Sequence, residues 1–104
     1  MIRRFDVIAN PIASARREKP YLLCIQYNNL NHLAFRVVAS FATERIIREP
    51  SRLYPQFEIQ GVTVFLIPHD VATRPMKQLG TPIANLEADR DRIVAALDLV
   101  FTGV

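Results

Sequence analysis

The chain has 104 residues, of which half are apolar and 22% are charged. That is ordinary usage for one globular domain, spanning residues 1–104, and it argues against a disordered chain. No apolar run approaches the ~20 residues of a membrane span. The start, Met1 to Asp6, holds basic residues but no long apolar stretch before a cleavage site, and the single cysteine, Cys24, has no partner for an internal disulfide. A cytoplasmic protein is expected on these grounds. The net charge of +3 is unevenly placed. Residues 1–19 carry Arg3, Arg4, Arg16, Arg17 and Lys19 against only Asp6 and Glu18, whereas bases and acids balance in the remainder. Such a basic arm suits a nucleic acid or an acidic partner, or simply a solvated loop. The aromatic residues are not interleaved with these bases, so a stacking strip for nucleic acid is not indicated.

In chain order, Arg3 to Ala9 reads as a first strand. Asn10-Pro11 opens a polar loop that ends at Pro20. Tyr21 to Tyr27 is apolar apart from Gln26, which suits a strand covered on both faces. Asn28-Asn29-Leu30-Asn31-His32 is a turn, because asparagine tolerates left-handed backbone and bonds locally. Ala34 to Phe41 is a second apolar strand, expected to pair antiparallel with the one before it. Thr43 to Arg48 suggests a short helical turn stopped before Pro50. Residues 57–64 alternate apolar and polar about Gln60-Gly61, a hairpin signal. The strand after the turn is expected to stop at Pro68, with Met76 to Leu79 as a short edge strand.

From Leu86 the period becomes helical. Ile93, Leu97, Val100, Phe101 and Val104 form one stripe. Packing is expected mainly from Ile93, Leu97 and Phe101. Glu87, Asp89 and Asp91 sit where negative charge complements the helix dipole, and Asn85 or Glu87 marks the N-cap region. Gly103 suits a left-handed residue after the helix, with Val104 packing back towards Leu99. Five or six strands and one terminal helix make a mainly β (α+β) domain, a small antiparallel barrel or sandwich with a C-terminal α-helix.

Chemistry is sparse. Gly61, Gly80 and Gly103 stand too far apart for a phosphate loop. Cys24 lies in an apolar strand and reads as a buried, inert thiol. His32 and His69 lie in turns, and no residue spacing suits a metal. His69-Asp70 offers an acid–base pair or two solvated loop residues. Arg74 is expected to bond a backbone carbonyl or a carboxylate. No catalytic residue, metal or cofactor is therefore assigned, and a protein that binds rather than catalyses is expected.

The C-terminal segment from Asp91 to Phe101-Thr102-Gly103-Val104 resembles the ending of the CcdB toxins, an amphipathic helix closed by an aromatic, a variable residue, Gly and an aliphatic residue. Leu53-Tyr54-Pro55 matches a family Leu-Tyr-Pro. Ala72-Thr73-Arg74-Pro75 stands where the family has a Ser-Val-Pro-like turn. Leu22 to Asn28 resembles a family strand and keeps Gln26, and Arg36-Val37-Val38 matches an Arg-x-Val. The similarity runs from about residue 21 to 104.

This resemblance implies an SH3-like antiparallel β barrel with a C-terminal helix, assembled as a twofold homodimer. It implies a toxin of a toxin–antitoxin pair that binds the DNA gyrase A subunit, traps gyrase on cleaved DNA, and is removed by a CcdA-like antitoxin. No membrane and no sequence-specific nucleic-acid contact is implied. The family's gyrase contact maps onto Phe101, Thr102, Gly103 and Val104, and its antitoxin surface onto Tyr27, Asn29, Leu30 and Asp98. Two departures stand out. Thr102 replaces a family tryptophan, a residue type often worth ~2 kcal/mol or more at an interface, and Tyr27 and Asn29 replace the family's Ser and Ile. Two other readings remain: an endoribonuclease toxin of the MazF type, which resembles CcdB in fold, and a non-toxic homologue that binds only an antitoxin.

Overall fold

The computed structural model describes residues 2–103. Six strands form one antiparallel sheet: β1 (Asp6–Ala9), β2 (Tyr21–Cys24), β3 (Phe35–Ala42), β4 (Gln56–Ile59), β5 (Val62–Pro75) and β6 (Ala84–Asn85). A single α-helix, α1 (Arg90–Phe101), follows. The strand order is β4-β5-β3-β2-β1-β6, and the sheet curls into a nearly closed barrel. The expected α+β barrel with a terminal helix is thus the fold observed.

The β4–β5 connection is a two-residue turn in which both Gln60 (φ 49°) and Gly61 (φ 78°) are left-handed. That geometry matches the twist of the paired strands and demands residues that tolerate positive φ. Strand β5 does not stop at Pro68 as the proline suggests; it runs on to Pro75. Its register with β3 explains why. Ala39 faces Val71 and Ser40 faces Ile67, so Pro68, His69 and Asp70 bulge out of the ladder. Proline lacks the N–H that a regular ladder position needs, and a bulge removes that need. Met76–Gln78 is a 3₁₀ turn rather than an edge strand, and Thr43 to Arg48 forms turns without a helix.

Period-two alternation divides the apolar residues between the two faces of the sheet. Phe5, Val7, Leu23, Ala39, Phe41, Phe57, Ile59, Val64, Leu66 and Ile93 form the main core. The helix enters it through Ile93, with Val94 and Leu97 packed alongside. Ile2, Ile8, Leu22, Cys24 and Val38 form a smaller core on the other face, closed by Met76 and Leu79. Phe101 does not pack as expected; it is 64% exposed. The helix buries Ile93 and Ala96 instead, because the curved sheet meets only its first two turns and the final turn projects beyond it.

Candidate functional site

The last turn of α1 is finished by three donors on one carbonyl. The Asp98 oxygen accepts the Thr102 N–H at 2.8 Å, the Gly103 N–H at 2.9 Å and the Thr102 hydroxyl at 2.8 Å. Gly103 is left-handed at φ 79°, as expected of a residue that ends a helix. The result is a fixed, exposed tip made of Phe101, Thr102 and Gly103, with the exposed Asp98 one turn behind. Val104 lies outside the described residues.

A second exposed surface is the loop after β2. Tyr27 is 58% exposed and Leu30 is 44% exposed. The loop is held from within by a 3₁₀ turn over Asn28–Leu30. The Leu30 N–H donates to the Tyr27 carbonyl at 2.9 Å, and the Asn29 amide donates to the Tyr27 hydroxyl at 3.3 Å.

Two buried polar side chains fix this loop from below. Gln26 donates its amide to the Leu30 carbonyl at 3.1 Å and the Phe35 carbonyl at 3.2 Å, and accepts from the Val37 N–H at 3.0 Å. Arg36 is fully buried. Its Nε donates to the Ile2 carbonyl at 2.9 Å, Nη1 to the Leu33 and Phe35 carbonyls at 2.8 and 2.9 Å, and Nη2 to the Asn31 carbonyl at 3.1 Å. Four carbonyl dipoles thus solvate a buried guanidinium that has no carboxylate partner. These two residues had no assigned role in the sequence beyond being landmarks. The available signal was a polar side chain at an inward position of an apolar strand.

The two exposed surfaces do not adjoin through any hydrogen bond or core contact among the described residues. Asn28 accepts the Arg4 N–H at 2.9 Å, Arg4 accepts from the Asn85 amide at 3.4 Å, and Asn85 accepts the Glu87 N–H at 2.9 Å. This chain of contacts anchors the loop beside the start of the helical segment. Phe101 lies eleven residues beyond Arg90, about 16 Å further along the helix axis. Arg92 locks the near end of the helix to the barrel. It donates to Asp89 at 3.1 Å and to the Gln56 carbonyl, and lies 4.4 Å above the Phe57 ring.

Other titratable groups are paired elsewhere. His69 and Asp70 do not meet each other. His69 shares a 2.8 Å hydrogen bond with the Tyr54 hydroxyl, the rings edge-on at 5.7 Å. Asp70 accepts from Lys19 at 2.7 Å. That hydrogen bond, with a lesser one from Ser40, holds the Asp70 carboxyl below its usual range. Burial pushes the Cys24 thiol up and keeps it protonated. Arg74 lacks the expected bond at its Nε, which is buried without a partner. Among the described residues no cluster of His, Cys, Asp or Glu could hold a metal ion, and no helix is long and apolar enough to cross a membrane.

No curated protein sequence matches the chain. Among solved structures, an endoribonuclease in complex with its cognate antitoxin, from a mycobacterial species, superposes with a TM-score of 0.74 at 19% identity, over 94% of this chain and 92% of that one. An endoribonuclease from a mycobacterial species gives 0.70 at 20% identity, over 93% and 88%. At such identities the likeness is one of fold. It nevertheless corrects the expectation of a protein without catalysis: this barrel occurs in proteins named as endoribonucleases, so a sparse set of acid–base residues is no ground for setting enzymatic activity aside. The CcdB protein family model matches residues 4–103. With that match over nearly its whole length, the chain belongs to the CcdB family.

Proposed function

We propose that this protein is the toxin of a toxin–antitoxin pair, and that it engages the DNA gyrase A subunit with the tip of α1. The observation that carries this reading is the tip itself. Phe101 is more exposed than any other large apolar side chain described, and it is presented by a helix end fixed on the Asp98 carbonyl. An exposed aromatic on a rigid support loses little conformational entropy on binding, which favours it as an anchor. Thr102 and Gly103 flank it and complete the contact. Thr102 turns its hydroxyl back onto the helix, so Phe101 is the aromatic anchor here.

The cognate antitoxin is CcdA-like and binds Tyr27, Asn29, Leu30 and Asp98. The antitoxin binds a twofold dimer, as the family resemblance implies, and one extended antitoxin segment engages both the loop and the helix tip. The test is a cleavage assay with gyrase and supercoiled plasmid. Linear DNA should accumulate with the full-length protein and not with Phe101→Ala. If neither protein traps cleaved DNA at micromolar concentration, gyrase is not the target.

A second reading is an endoribonuclease toxin, favoured by the two mycobacterial structures named as such. Incubating the purified protein with total RNA decides it. Discrete cleavage products that accumulate with multiple turnovers support RNA cleavage. Intact RNA alongside trapped gyrase removes it.

A further inference from the structure

We propose that a small concavity on the outer face of β2, β3 and β5, roofed by the loop from Asn10 to Lys19, binds a phosphate group of a nucleic-acid backbone. The reading goes beyond the choice of toxin target and holds for either one. The concavity has a volume of about 190 Å³ and is lined by Asn10, Lys19, Ser40, Asp70 and Arg74 over a floor that includes Leu22, Val38 and Ala72. Ligand pockets for whole small molecules usually run from ~300 Å³ upward, so this one suits a single phosphate with the rest of the polymer outside.

The charges converge by topology. Lys19, at the end of the basic arm, has no role in the two exposed surfaces above, yet the fold carries it over the strand that holds Arg74. The Arg74 Nε is buried without a partner, a state that most buried donors avoid. Its cross-strand neighbour is Arg36, so β3 offers it no carboxylate there and places a like charge opposite it. Asp70 is the one acid in the concavity, and it is already engaged by Lys19 at 2.7 Å. A lysine ammonium has three donors, so Lys19 keeps others for a second acceptor. The Asn10 side chain shapes the roof, since it donates to the Lys19 carbonyl at 2.9 Å and accepts from the Ile12 N–H at 3.0 Å. A phosphate in the concavity would pair with the Arg74 guanidinium and with Lys19 and balance the excess of cations.

The experiment measures binding of a labelled 12-mer single-stranded RNA and of a duplex DNA by fluorescence anisotropy, at several salt concentrations. The proteins are the full chain, Arg74→Ala, Arg74→Lys and, as a control on an exposed base outside the lining of the concavity, Arg48→Ala, each with a thermal melt to verify folding. Arg74→Ala should weaken binding about tenfold and lower the slope of log affinity against log salt by about one. Arg74→Lys should lie between, and Arg48→Ala should bind as the full chain does. Loss on both nucleic acids means that the backbone phosphate alone is read; loss on RNA alone names RNA as the source. The proposal is overturned if Arg74→Ala binds like the full chain, or if Arg48→Ala loses as much. A second measurement needs no variant. Inorganic phosphate titrated into the unaltered chain should shift the amide resonances of Lys19, Ser40 and Ala72 first, and scattered shifts elsewhere would equally reject the site.

Discussion

Replacing Arg36 by methionine should destabilise the fold by about 3 kcal/mol. Methionine retains most of the apolar stem and removes every donor. Of the four carbonyls that Arg36 serves, that of Phe35 keeps a second donor in Gln26. The Ile2, Asn31 and Leu33 carbonyls lose theirs. A buried acceptor left unpaired costs about 1–3 kcal/mol, and about 1 kcal/mol each is the appropriate end for Asn31 and Leu33, which retain partial access to water. The opposing effect is that a buried charge no longer needs desolvating. Here that benefit is small, because four fixed carbonyl dipoles already solvate the charge and remain behind when it is removed. In a domain of this size 1 kcal/mol moves the midpoint by roughly 4–8 °C, so a drop of roughly 12–24 °C is expected. Thermal unfolding followed by circular dichroism measures it. Hydrogen exchange should also quicken at Leu30, Asn31 and Leu33, whose turn the guanidinium holds. If the variant melts within about 3 °C of the unaltered chain, the four bonds do not carry the stability argued for them, and the loop is fixed by something else.

Gln26→Leu should cost less, about 1–2 kcal/mol, because only the Val37 N–H loses a partly buried partner without replacement; denaturant unfolding checks it. Ile93→Ala should cost about 2–5 kcal/mol, since Ile93 is the helix residue wholly within the main core, whereas Phe101→Ala should leave the melting temperature within a few degrees and abolish target engagement. Asp70 has its carboxyl pKa lowered by Lys19, so the stability it contributes is present above the ordinary carboxylate range near pH 4 and is lost as pH falls through its folded value. Lys19→Met should therefore flatten the acid side of a plot of melting temperature against pH, and an unchanged acid limb would contradict the assigned pair. Cys24 has its pKa raised by burial, so the native thiol should react with an aromatic disulfide reagent only as fast as the protein opens, and at full speed in denaturant.

The elements that the sequence settled alone are those governed by short-range rules. The Gln60-Gly61 turn follows from alternation around a residue that accepts positive φ. The helix follows from its apolar period and acidic first turn, and its end from Gly103. The CcdB-type ending and the landmarks at Gln26, Arg36 and Leu53-Tyr54-Pro55 were likewise legible as an ordered pattern. What the sequence could not decide depends on groups distant along the chain. Pro68 looks like a strand end until the register of β3 shows that it lies in a bulge. Phe101 belongs to an apolar stripe, and only the curvature of the sheet leaves it outside the core. Arg36 stands out in the sequence only as a polar residue within an apolar strand; its role stays hidden there, because its partners are backbone carbonyls from Ile2 to Phe35, which no side-chain pattern encodes. Lys19 and Arg74 stand 55 positions apart in the sequence, and the antiparallel sheet alone brings them to one concavity. Local backbone preference is written residue by residue, whereas burial and electrostatic environment are properties of the folded neighbourhood.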